Sequence, residues 1–154
     1  MRASLRQRLL GWLLLLSGAA ASAQTLNNTA ALSFGAFTAG SGGSITVGTG
    51  GARMKTGSVI LVNQAGTASA AQFTISGTPS AMFTISLPVD GTVFLSDGAS
   101  GSMALNGFTS SPAAVGVLSG GGTQQISVGA TLTVGGAQIT GNYTGAFNVT
   151  VNYQ

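Results

Sequence analysis

The stretch GNYTGAFNVTVNYQ, residues 141–154, closes the sequence. From Tyr143 to Tyr153 the odd positions read Tyr, Gly, Phe, Val, Val, Tyr, and the even ones Thr, Ala, Asn, Thr, Asn. Successive side chains of a strand point to opposite faces, so one face here is apolar and the other small or polar. The spacing predicts one strand over 143–153, about 36 Å long at roughly 3.3 Å per residue. That is longer than the usual strand of about five or six residues. Burying its large apolar side chains would contribute on the order of 10 kcal/mol before entropy is subtracted. Chain ends fray unless they dock as a strand or helix, so this one is expected to be held.

Outward from that strand, the chain is a series of short alternating runs punctuated by Gly, Ser, Asn, Asp and Pro. Phe73/Ile75, Phe83/Ile85/Leu87, Ile126/Val128 and Leu132/Val134 show the alternation best, with Thr, Ser or Gln between them. Strands are predicted at 32–34, 44–47, 58–62, 72–76, 82–87, 92–95, 102–106, 124–128, 130–134 and 143–153. Gly40–Gly43, Gly48–Gly51, Gly120–Gly122, Gly135-Gly136 and the pairs Asp90-Gly91 and Asp97-Gly98 supply the turns, where positive φ is needed. No stretch carries helical periodicity. The pattern is that of an all-β sandwich or barrel. A membrane barrel does not fit, because most runs are shorter than the roughly nine to eleven residues that cross a bilayer and no aromatic girdle is present.

The opening residues read differently. Arg2, Arg6 and Arg8 precede an apolar run from Leu9 to Leu16, and Ala21-Ser22-Ala23 offers small residues for cleavage, the pattern of a secretory signal over 1–23. The run is too short to span a bilayer. Residues 24–31 then read as a short N-terminal extension and 32–154 as one domain. Beyond the signal the charges are Arg53, Lys55, Asp90 and Asp97, so the high isoelectric point belongs to the leader and gives no reason to expect nucleic acid or insertion in a membrane. So thin a charged coat suits self-association, the alternative being solubility from Ser, Thr, Asn and Gln. With no cysteine, an exported chain has no disulfide to constrain it.

Chemistry is scarce. The sequence holds no His, no Cys and no carboxylate besides Asp90 and Asp97, which removes the usual bases, thiol nucleophiles and metal ligands. Both aspartates read as turn residues. A Ca²⁺ site would require more oxygen ligands. GTGGARMKTG lacks the glycine before Lys-Thr that a phosphate loop needs and reads as a hairpin loop with a basic tip. A Ser-Lys dyad at Lys55 has no supporting motif, and the Asn-x-Thr triplets at Asn27, Asn142 and Asn148 fit the outer faces of strands. The sequence predicts a non-enzyme without cofactor.

Several segments carry a family resemblance: LSFG at Leu32–Gly35, GGSITV from Gly42, AAQFTISGTPSAMFTISLP at Ala70–Pro88, GGTQQISVGATLTVG from Gly121, and GNYTGAFNVTVNY from Gly141. Over residues 32–153 the chain resembles the bacterial domain-of-unknown-function family 4402, a pilin-like group of exported β proteins. Its end also resembles chaperone-usher pilins, with penultimate Tyr153 and a glycine, Gly141, at the fourteenth position from the end. The resemblance implies an immunoglobulin-like sandwich that lacks one strand, with an assembly groove along Gly141, Tyr143, Phe147, Val149, Val151 and Tyr153. It further implies a periplasmic chaperone, an outer-membrane usher, and partner subunits or further copies that supply the missing strand, in the periplasm and then at the cell surface.

The candidate donor segment is Leu26, Asn28 and Ala30. Those three share a face with Leu32 and Phe34, but Asn28 is polar and Ala30 small, and eight residues reach only about 26 Å. A polymerising subunit, a terminal subunit and a sandwich that completes itself all stay open. The leading expectation is a structural subunit of a fimbria-like assembly. Its rival is a self-contained secreted adhesion or binding module that makes contact through Gly48–Gly57.

Overall fold

The computed structural model describes residues 23–62 and 68–154, so the signal segment read over 1–23 lies outside the described residues except for Ala23. The described chain forms twelve strands and no helix: β1 (Thr25–Ala30), β2 (Phe37–Thr38), β3 (Gly43–Val47), β4 (Arg53–Gly57), β5 (Ile60–Leu61), β6 (Ala71–Ser76), β7 (Met82–Ser86), β8 (Val93–Ser96), β9 (Ser102–Ser111), β10 (Val115–Val117), β11 (Thr123–Val134) and β12 (Thr150–Tyr153). The protein is an all-β sandwich, as the alternation predicts.

Strand β11 organises the larger sheet. One of its edges pairs with β6 from Thr123 to Val128 and then with β3 from Ala130 to Val134, while the other pairs with β9. Strands β1, β4 and β8 extend β6, β3 and β9 outward, giving a curled seven-stranded sheet. A smaller sheet of order β10-β7-β12 lies across it, and β2 and β5 form a short pair.

Two runs predicted on either side of Gly129 are in fact one twelve-residue strand. The register against β9 shifts between Gly129 and Thr131, so one strand serves neighbours in two registers through a bulge. A Cβ at Gly129 would collide with the Val47 carbonyl oxygen. Gly129→Ala is therefore expected to cost about 2 kcal/mol or more, read as a lower urea midpoint.

The core lies in two clusters. One sits between the sheets and joins Phe73, Ile75, Phe83, Ile85, Ile126 and Val128. The other fills the curl of the large sheet with Ile45, Val47, Met103, Leu105, Leu132 and Val134. No buried polar side chain occurs among the described residues.

The Asp-Gly pairs do form turns. The Asp97 carboxylate accepts the Ala99 and Gly101 amides at 2.8 and 2.9 Å, and Asp90 accepts the Gly107 amide at 2.7 Å. The reading of Gly48–Gly57 as a loop is corrected. Only Gly48–Ala52 turns, and Arg53–Gly57 forms β4 against β3. As a largely exposed edge strand, β4 buries no apolar face and so carries no alternation.

Candidate functional site: an open cleft over the core

The C-terminal strand predicted over 143–153 is only partly formed. Ladder pairing is confined to Thr150–Tyr153, against β7, and Thr144 makes an isolated bridge with Ser96. Between these two anchors, no main-chain hydrogen bond holds Gly145–Val149 among the described residues. The alternation is nevertheless kept, with Tyr143, Phe147, Val149, Val151 and Tyr153 half-buried and the even positions exposed. The strand falls short because Ser96 at the end of β8 and Phe83–Ser86 of β7 anchor its two ends and, among the described residues, nothing pairs with its middle. The outer edge of β12 has no partner strand among the described residues either.

A cleft of about 850 Å³ opens beside this segment. One wall is residues 138–145 with Phe147, and the other is residues 31–39. Leu105, Leu132 and Met103 of the core form its floor, and among the described residues no lining side chain is charged. The first wall is fixed through Tyr143, whose hydroxyl donates to the Ile139 carbonyl at 2.7 Å and accepts from Gln138 Nε2 at 2.8 Å. The second is fixed by main-chain pairing of Ser33 with Ser69 and of β2 with β5.

Of the groove residues read from sequence, Gly141, Tyr143 and Phe147 line the cleft. Val149, Val151 and Tyr153 continue past it and pack on the cluster between the sheets. Phe147 touches both clusters, its ring centroid 5.2 Å from that of Phe108 and 6.5 Å from that of Phe73. Leu26, Asn28 and Ala30 lie elsewhere, in β1, paired with Ile75, Phe73 and Gln72 of their own chain. Its side chains are almost all exposed, so the ladder rather than packing holds β1.

Sequence reasoning missed the opposite wall. Leu32 and Phe34 alternate, as do Phe37 and Ala39, but the two pairs are out of phase by one residue. The offset falls at Gly35, where φ is 65°, a left-handed bend that glycine adopts without strain. That phase slip at a glycine was the available signal.

Burial raises the Tyr153 phenol above its ordinary value near 10. Its hydroxyl donates toward the Ser76 carbonyl at 3.3 Å. A raised value in the folded state means that this contribution is fully present below the unfolded value, about pH 10, and is lost as pH rises through the folded one. Tyr153→Phe is expected to flatten the fall in urea midpoint above about pH 10.

Among the described residues no group of three or more His, Cys, Asp or Glu could hold a metal. The family model of DUF4402, a domain of unknown function, matches residues 25–153. The chain belongs to the DUF4402 family. Both cleft walls, the floor and β1 fall within that match, so the cleft is part of the DUF4402 domain itself. No curated protein and no solved structure matches the chain.

Proposed function

We propose that this DUF4402 protein is an exported, non-enzymatic structural subunit of a fimbria-like surface assembly, and that its cleft takes up a β-strand from another chain. The sandwich is then immunoglobulin-like and one strand short. The observation that carries this reading is the Gly145–Val149 backbone, left without ladder partners beside an apolar cleft that opens onto the core. A strand added there gains main-chain hydrogen bonds on one edge and burial for alternate side chains. It also covers an edge that otherwise invites aggregation.

The filling strand comes from a different molecule in this proposal. Strand β1 runs directly into the wall at Ala31, with no residues between them to reverse direction. In transit, a periplasmic chaperone would hold the same edge, and an outer-membrane usher would exchange it for a partner subunit or a second copy.

The test is to shear intact cells and run the released fraction in SDS with and without boiling. A ladder of this protein that collapses on heating is expected. A lone monomer band, soluble without a chaperone, would contradict the proposal and favour a self-contained binding module.

A further inference from the structure

The wall from Ala31 to Ala39 turns at Gly35, where φ is 65°. Ser33 pairs with Ser69 on one side of the Gly35 bend. Phe37 and Thr38 pair with Leu61 and Ile60 on the other, and the Val62 amide donates to the Ala36 carbonyl at 3.0 Å.

A side chain from the far edge of the large sheet spans that bend. Arg53, the first residue of β4, donates through Nη1 to the Phe34 carbonyl at 2.9 Å and to the Ala36 carbonyl at 3.1 Å, one on each side of Gly35. Its Nη2 reaches the Val62 carbonyl at 3.4 Å. The two carboxylates that could have paired with it, Asp90 and Asp97, accept main-chain amides elsewhere. The guanidinium is thus committed to three carbonyls around one bend.

We infer that Arg53 is a positioning residue for the cleft: its fork across the Gly35 bend sets where Leu32, Phe34 and Phe37 stand on the wall. This rests on the strand-uptake reading above. Hydrogen bonds from a charged donor are stronger than neutral ones. The planar guanidinium also presents several donors at fixed angles, whereas a lysine ammonium is a point charge on a flexible stem. Without the fork, the wall samples other bends, and an incoming strand must order it before pairing. The inference accounts for a cation on an otherwise nearly uncharged chain, 17 to 19 residues in sequence from the carbonyls it holds on the wall.

The experiment compares the wild-type protein with Arg53→Lys and Arg53→Met. The probe is a fluorescein-labelled peptide of about eleven residues, alternating valine and threonine with a lysine at each end, read by anisotropy. Arg53→Met is expected to bind about tenfold more weakly or worse, with Arg53→Lys between it and wild type. In the same samples, amide exchange should speed up at Val62, which donates into the wall, and stay slow along β11.

Equal peptide affinity in all three proteins would overturn the positioning role and leave strand uptake standing. Absence of peptide binding by the wild type would overturn strand uptake, and this inference with it. Loss of protection along β11 together with Val62 would show that Arg53 supports the whole fold, which also overturns a specific role at the cleft.

Discussion

A strand fused after Gln154 is expected to raise the melting temperature by about 10 °C. The fusion would carry a turn of about four residues and then about ten residues alternating valine with threonine, so that it runs back along β12 and Gly145–Val149. Its buried valines contribute about 1.5 kcal/mol or more each. Ordering its backbone costs about 1 to 2 kcal/mol per residue, which exceeds what the valines contribute. The new main-chain hydrogen bonds, about 1 kcal/mol each, then leave a surplus of a few kcal/mol. At about 3 °C per kcal/mol for a domain of this size, the shift is large enough for a routine thermal scan. A control strand with serine in place of valine should give no rise. Equal melting temperatures for the two fusions would mean that the cleft does not accept a strand.

The second large effect is at the other end of the same surface. Replacing Val151 and Tyr153 together by serine is expected to cost about 4 kcal/mol. Both side chains pack on the cluster between the sheets, and the Tyr153 hydroxyl also caps the Ser76 carbonyl. Against a total stability of about 5 to 15 kcal/mol, most of the soluble yield should disappear. The urea midpoint of whatever protein remains gives the size of the loss. An unchanged midpoint would show that β12 is dispensable and that the sandwich is held without it.

The parts of this structure that were legible in the sequence are those where one strand face is buried and the other wet. Phe73/Ile75, Phe83/Ile85 and Ile126/Val128 alternate cleanly, and each pair lies in a strand facing the inter-sheet cluster. Strands without that asymmetry were hidden. Strand β4 is exposed over most of its length, and β10 places only Gly116 inward, against the Phe83 ring, so neither shows alternating burial of large side chains. Gly129 hid a continuous strand for the opposite reason, since a glycine inside an apolar run reads as a break but here accommodates a bulge.

The site divides in the same way. Alternation from Tyr143 to Tyr153 identified which side chains turn inward, because it depends only on the chain itself. Alternation says nothing of whether a neighbour is present, so it could not show that Gly145–Val149 lacks one. Likewise, Arg53 read as the basic tip of a loop, because its role depends on carbonyls 17 to 19 residues away in the chain.

Amide hydrogen exchange on Gly145–Val149, in the lone protein and in the assembled form released from cells, tests the central claim most directly. Exchange in the lone protein should be as fast as in exposed loops while β11 stays protected, and assembly should slow it by orders of magnitude as a new strand pairs with this edge. Protection of Gly145–Val149 already present in the lone protein, unchanged on assembly, would mean that the sandwich closes on its own and would contradict strand uptake.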